Sequence, residues 1–244
     1  SAQALAAAPG ADAREPALRS QVALVIDEDS GEILLGKNAQ WQVPIASLTK
    51  LMTAMVVLDT DLDPEELLTI TRADVDRRKG SHSRLSVGWE LARDDMLRLA
   101  LMASENRAAS ALAHSHPGGA EAFVQAMNLK AHLLGMADTH FADATGLSSA
   151  NVSTADDLSK LARAAHRYPK IGEYSTATAH KVKVGRRSVQ FGNTNRLIRS
   201  SAWDIGLSKT GYISEAGRCL VMQVTLAGRA VIIVLLDSWG KYSR

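Results

Sequence analysis

Ser47-Leu-Thr-Lys50-Leu-Met-Thr-Ala-Met-Val-Val-Leu-Asp59 is the stretch on which the fold turns. Its apolar residues (Leu48, Leu51, Met52, Ala54, Met55, Val56, Val57 and Leu58) leave almost no polar face. A helix that is apolar nearly all round is buried, so this one is predicted to be a core element over Ser47–Asp59. Two polar residues at its start stand out. A spacing of three on a helix puts Ser47 and Lys50 on one face. A serine hydroxyl needs a base to become a nucleophile, and a lysine can be that base if burial lowers its pKa. The apolar helix supplies the burial. Its N-terminus adds positive potential and N–H groups near the serine.

By itself the S-x-x-K pattern is weak, because a capping serine with an exposed lysine would look the same. The chain holds a second copy, Ser238-Trp-Gly-Lys241. That copy follows a strand-like run and contains Gly240, so it opens no buried helix and reads as chance. A second element, Ser104-Glu-Asn106, ends the apolar run Leu97–Ala103, where a turn can aim side chains into a cleft. Another S-x-N, Ser149-Ala-Asn151, lies in a loop; the plain reading of either is a cap. A third element, Lys209-Thr-Gly211, occurs once, late in a strand-like segment. A lysine and a threonine there can bind a carboxylate, and Gly211 allows a substrate to lie close along an edge strand.

Outward from these elements, Gln21–Gly36 reads as two strands around a turn at Asp29-Ser30-Gly31. Further helices are expected from Asp94-Asp95 through Met102, over Glu105–His114, over Ala120–Leu134, and from Thr154 to about His166. Strands are expected at Lys181–Val184, Ile205–Tyr212, Arg218–Leu226 and Ala230–Asp237. Strands at both chain ends with helices between predict one α/β sheet built from both ends. Residues 1–18 read as a flexible lead-in after a removed signal peptide, and 19–244 as one discontinuous domain.

Composition narrows the function. The 244 residues carry 28 basic and 26 acidic side chains, a net charge of +2, with no basic stripe, which speaks against nucleic acid. No run of 18 apolar residues is present, so no transmembrane segment is expected. The single cysteine, Cys219, forms no internal disulfide and reads as a small apolar strand residue. The seven histidines show no ligand spacing, so no metal is expected. Asp27, Asp29, Asp156 and Asp157 read as turn and cap residues. Trp203 reads as core packing or as the wall of a cleft.

The order S-x-x-K, S-x-N, K-T-G decides among these readings. It is the set shared by serine β-lactamases and penicillin-binding proteins. The chain resembles the low-molecular-mass penicillin-binding proteins, serine peptidases of the D-alanyl-D-alanine carboxypeptidase and endopeptidase group, and most of all the endopeptidases. The likeness covers almost everything after about residue 20. It also includes Asn193-Thr-Asn195, Leu207–Gly211 and Gly240-Lys-Tyr242. It implies an α/β fold of the β-lactamase/transpeptidase-like kind: a central antiparallel sheet flanked by helices, with a helical subdomain and the active site between. It implies that Ser47 attacks a D-Ala carbonyl, that Lys50 takes its proton, and that Ser104 relays a proton to the leaving amine. Asn106 would hold the substrate amide and Lys50. Lys209 and Thr210 would bind the carboxylate beside the scissile bond. The backbone N–H groups of Ser47 and Tyr212 would form the oxyanion hole. The implied partners are peptidoglycan cross-links and β-lactams as covalent inhibitors. No cofactor is implied, and the implied location is the periplasm.

Three rivals share parts of this pattern. A β-lactamase of class A needs a deacylating glutamate in an E-x-x-L-N stretch, which the segment between Asn106 and Lys209 lacks. A strict DD-carboxypeptidase would use the same residues. A β-lactam sensor would acylate without turning over peptide.

Overall fold

A computed structural model describes residues 18–239. The expected lead-in, all but Leu18, lies outside the described residues, as do Gly240 and Lys241 of the second S-x-x-K. β1 (Ser20–Asp27) turns into β2 (Ile33–Lys37), and the Asp27 carboxylate holds the turn by accepting from the N–H groups of Asp29 and Ser30. After β3 (Val43–Pro44) the chain makes a 3₁₀ turn over Ala46–Leu48 and enters α1 (Thr49–Asp59). A small hairpin, β4 (Leu67–Thr69) with β5 (Glu90–Ala92), precedes α2 (Arg93–Met102) and α3 (Asn106–His114). Asp94 and Asp95 occupy the first turn of α2, where the helix dipole favours acids. α4 (Gly119–Leu133) and the short β6 (Val152–Ser153), which pairs with β3, lead to α5 (Ala155–His166). Thr154 caps α5 by accepting from the Asp157 N–H. α6 (Pro169–Thr176) follows, with Pro at its first position. The chain ends in β7 (Ala179–Val184), β8 (Arg187–Gly192), β9 (Asp204–Ile213), β10 (Gly217–Leu226) and β11 (Arg229–Ser238).

The main sheet is antiparallel throughout, in the order β2-β1-β11-β10-β9. It joins the two chain ends, and β9, which carries Lys209-Thr-Gly211, is an edge strand. α5 packs on β1, β10 and β11, α6 packs on β9, and α1 sits among α2, α3, α4 and α5. Every residue of α1 from Thr49 to Val57 is buried, as an all-round apolar pattern requires. A smaller apolar cluster of Leu220, Met222, Val224 and Val231 gathers Trp203 and Leu197 against it, so Trp203 packs on the sheet and does not stand free in a cleft.

Two expectations need correction. Lys181–Val184 does form a strand, but β7 pairs only with β8 in a separate hairpin and adds nothing to the main sheet. Ser47 does not lie in the α-helix. It lies in the 3₁₀ turn before it, because the chain enters that turn through Ala46 at a left-handed φ of +49°. α6, β8 and the short strands β3, β4, β5 and β6 escaped the sequence reading. Each is a short element whose apolar residues are too few to set a period.

The 3₁₀ turn is clamped from behind by Gly146. Its φ is +82°, and a Cβ added there would fall 2.0 Å from the Ala46 carbonyl oxygen. Gly146→Ala is therefore expected to destabilise the protein by about 3 kcal/mol, combining left-handed strain of roughly 1–2 kcal/mol with overpacking of roughly 1–3 kcal/mol. Urea denaturation checks this, and a midpoint equal to that of the unsubstituted chain would refute the clamp.

Candidate active site

Ser47 and Lys50 meet as their spacing requires: Lys50 Nζ lies 2.9 Å from Ser47 Oγ. The lysine side chain is fully buried. Burial pushes its pKa down to about 7, against a smaller upward pull from the carboxylates of Asp143 and Glu105. The amine also reaches Asn106 Oδ1 at 2.8 Å and the Thr145 carbonyl oxygen at 2.6 Å. Those two oxygens can only accept. A neutral amine has two N–H bonds and one lone pair, so both N–H bonds go to Asn106 and Thr145. The lone pair is left facing the Ser47 hydroxyl. The three partners thus orient the amine as an acceptor for the serine proton.

Ser104 and Asn106 flank the break between α2 and α3. Ser104 adopts a left-handed φ of +56°, which few non-glycine residues do, and Glu105 caps α3 by accepting from the Arg107 N–H. This sharp break sends Ser104 and Asn106 to different partners. Asn106 turns to Lys50. The Ser104 hydroxyl accepts from Lys209 Nζ at 2.9 Å. Lys209 is buried as well, and its amine also donates to the Thr210 carbonyl oxygen at 2.8 Å. The three motifs therefore form two linked pairs, Ser47–Lys50 with Asn106 and Ser104–Lys209, joined through the α2–α3 turn.

β9 lies against the 3₁₀ turn at Gly211. A Cβ there would come within 2.9 Å of the Ser47 nitrogen and 3.2 Å of the Ile45 carbonyl oxygen, so the approach needs a glycine. The strand thus passes beside the Ser47 backbone nitrogen, and Tyr212, the next residue, is exposed. Thr210 Oγ1 shares a hydrogen bond of 2.6 Å with Thr194 Oγ1. Asn195 donates to the Ser208 hydroxyl at 2.9 Å, and Asn193 donates to the carbonyl oxygens of Ser175 and Ala177. The Asn193–Asn195 stretch therefore braces β9 from outside the sheet.

Three residues of this network were not singled out in the sequence, and a fourth, Thr194, was quoted only within Asn193-Thr-Asn195. Thr145 supplies a carbonyl, and any residue has one, so no side-chain signal marks it. Asp143 anchors its loop by accepting from the N–H groups of Thr145, Gly146 and Ser148 and from Asn151 Nδ2. Burial would raise its pKa, but these donors outweigh that and keep it lowered, so the carboxylate stays charged. The pairing of Asp143 with Gly146 three residues on was a readable turn signal. Ser81 accepts from Asn106 Nδ2 at 3.0 Å and so fixes which end of that amide faces the lysine. Thr194 braces Thr210. Ser81 belongs to a loop held by the Asp76 carboxylate and tied to the β9–β10 turn by the ion pair of Lys79 with Glu215.

The remaining candidates take structural places. Ser238 ends β11, where its hydroxyl meets that of Ser20 at 2.6 Å. Asn151 is buried and binds the N–H groups of Ala142 and Asp143. Asp27 holds a turn, and Asp157 lies in the first turn of α5. His114, His166 and His180 each face one carboxylate, and among the described residues no cluster could hold a metal ion.

Comparison with known proteins identifies the family and the fold. The family model for D-alanyl-D-alanine carboxypeptidase, Peptidase_S11, matches residues 10–240. A D-alanyl-D-alanine endopeptidase of Pseudomonas aeruginosa is 49% identical over 93% of this chain and 74% of its own length. An endopeptidase of the same description from Escherichia coli K12 is 44% identical over 95% of this chain and 75% of its own. Among solved structures, the Streptomyces K15 DD-transpeptidase superposes with a TM-score of 0.88 at 30% identity, covering 94% of each chain. The antiparallel sheet with flanking helices is thus the fold of that enzyme.

The rate at which a serine-acylating reagent labels Ser47 should rise with pH and level off above about 7, because Lys50 accepts a proton only when neutral. The Glu105 carboxylate favours the charged lysine, so Glu105→Gln, which keeps the capping oxygen, should move that rise to lower pH. A profile that stays flat from pH 5 to 9 would exclude Lys50 as the base.

Proposed function

The chain belongs to the peptidase S11 family of D-alanyl-D-alanine carboxypeptidases, and we propose that within it the chain acts as an endopeptidase on the D-alanyl–meso-diaminopimelyl cross-link between peptidoglycan stems. The observation that carries the chemistry is a buried lysine amine at 2.9 Å from a serine hydroxyl, with its lone pair directed at that hydroxyl. The choice of endopeptidase is supported by relatives of that activity at 49% and 44% identity.

Acylation proceeds from this geometry. Lys50 Nζ takes the Ser47 proton as Oγ attacks the D-Ala carbonyl carbon. The developing oxyanion sits between the N–H groups of Ser47 and Tyr212. Ser47 lies at the start of a helical turn, where N–H groups have no intrahelical acceptor. Tyr212 follows the glycine that brings β9 against it. One such donor is worth about 3 kcal/mol in the transition state. The leaving amine needs a proton: Ser104 passes its own hydrogen to the nitrogen and regains one from the proton that Lys50 took from Ser47, which leaves Lys50 neutral again. Lys209 can only donate to the Ser104 oxygen, so the serine's own hydrogen is free to point at the leaving nitrogen. Lys209 and Thr210 bind the carboxylate next to the scissile bond, and Asn106 binds the substrate amide. Lys50, neutral again, takes a proton from water as the water oxygen attacks the acyl carbon, and that proton passes to Ser47 Oγ as the acyl group leaves.

A β-lactam enters the same path and stops at the acyl stage. Periplasmic action follows from the substrate. Among the described residues no helix is long and apolar enough to cross a membrane.

Intact mass after incubation with a penicillin should show one covalent adduct on the natural chain and none on Ser47→Ala. An adduct that survives Ser47→Ala would overturn the assignment of the nucleophile. Sustained nitrocefin turnover would instead mark a β-lactamase. With purified muropeptide dimers, cleavage of the cross-link is expected. Intact dimers beside pentapeptides that lose D-Ala would make the chain a carboxypeptidase.

A further inference from the structure

Next to the catalytic lysine lies a cavity that the mechanism above leaves unused. It has a volume of about 840 Å³, and Asn106 and Thr145 form part of its wall. Those two residues supply the oxygens that hold Lys50 Nζ, so the cavity shares a wall with the lysine's site, although Ser47, Lys50 and Ser104 do not themselves line it. None of Lys209, Thr210, Gly211 and Tyr212 lines it, so it lies apart from the strand that takes the carboxylate beside the scissile bond. Its size falls within the range of roughly 300–1,000 Å³ that suits specific ligands. A cross-linked peptide has several residues beyond the scissile bond to place, which a penicillin lacks.

The chemistry of the wall identifies what it takes. Arg72, Arg77 and Arg78 line the cavity from the segment between β4 and β5. Their guanidinium groups form no ion pair or hydrogen bond among the described residues, and all three side chains are exposed. The acids of the same wall, Asp74, Asp76, Glu121 and Asp143, outnumber the three arginines, but three of the four are turned onto partners of their own. Asp74 accepts from Thr71, Ser110 and His114, Asp76 from the N–H groups of Arg78, Lys79 and Ser81, and Asp143 from its own loop. Only Glu121 lines it without such partners. The unused hydrogen-bonding capacity is therefore dominated by three planar, bidentate donors for carboxylates.

We propose that this cavity is an extended subsite that binds the carboxylate-bearing stem peptide on the acyl side of the scissile bond, through Arg72, Arg77 and Arg78. The inference rests on the peptidase reading above and adds to it the part of the substrate that is recognised. The same segment runs on to Ser81, which accepts from Asn106 Nδ2, so a peptide held by the arginines lies against the loop that orients the catalytic amide. These arginines are positioning residues: they touch the substrate far from the bond that breaks.

The test compares two substrates on two proteins. The triple variant Arg72→Ala, Arg77→Ala, Arg78→Ala changes only exposed side chains, and benzylpenicillin acylation reports whether its Ser47 and Lys50 remain assembled. With a defined cross-linked muropeptide dimer the variant should lose on the order of tenfold in kcat/KM, mostly through KM, since three charge-assisted contacts are removed. A dimer amidated only at the carboxylates of the acyl-side stem, with the carboxylate beside the scissile bond left free, should be cut by the natural chain with a similar loss. The variant should no longer distinguish the two dimers. Equal kcat/KM of the variant and the natural chain on the acidic dimer would overturn the proposal, as would indifference of the natural chain to amidation. A natural chain that a penicillin does not acylate would overturn the peptidase reading instead, so the two failures are separable.

Discussion

A lysine amine with no solvent contact, held 2.9 Å from a serine hydroxyl, is the constraint around which this protein is built. A charged amine buried without a counter-ion costs several kcal/mol, and here the cost is met by loss of the proton near neutral pH. The neutral amine still needs acceptors for its two N–H bonds. They come from places distant in sequence, the side chain of Asn106 and the main chain of Thr145. The helix that carries the lysine must be apolar all round to exclude water. The loops that reach it must in turn be anchored, by Asp143 on one side and by the Asp76-held segment with Ser81 on the other.

Backbone conformation is subordinated to that arrangement. Ala46 and Ser104 both adopt positive φ, and each sits directly beside a functional serine or is one. Left-handed backbone costs a non-glycine residue roughly 1–2 kcal/mol, and it persists where the surroundings over-determine it. Gly146 presses on the Ala46 carbonyl and Gly211 brings β9 against the Ser47 nitrogen, so the 3₁₀ turn is held from two sides. At Ser104 the turn between α2 and α3 is held by the Glu105 cap and by Lys209. The strain therefore separates Ser104 from Asn106 and sends each to its own lysine.

The second buried lysine makes the site a pair and not a single dyad. Lys209 donates to Ser104 and to the carbonyl oxygen of Thr210, which joins the edge strand of the sheet to the helical side of the cleft. Lys50 and Lys209 have different surroundings, and so different roles. Lys50 faces a serine with its lone pair, whereas Lys209 stands behind a serine as a donor. The cavity lined by Arg72, Arg77 and Arg78 begins on the Lys50 side of this pair, beyond Asn106.

Much of this was legible in the chain itself. The apolar run after Lys50 specified a buried helix because no polar face was left for water. Alternating and apolar runs at both ends specified a sheet that joins them, and Thr154 announced α5 because a threonine before an acidic first turn satisfies the orphan N–H groups. The order of the three short motifs pointed to a serine acyl-transfer site and to the residues in it. What stayed hidden was decided by contacts between distant segments. A carbonyl acceptor such as that of Thr145 leaves no mark on residue type. The 3₁₀ turn at Ser47 arises from Gly146 and Gly211 packing against Ala46, which no local propensity encodes. β7 joins β8 in a hairpin of its own and not the main sheet, a choice of partner that its own alternation of residues does not encode. The sequence determined which residues are the candidates for the chemistry. Only the tertiary structure decided which oxygen each lysine nitrogen meets, because that depends on where loops of unrelated sequence are brought to rest.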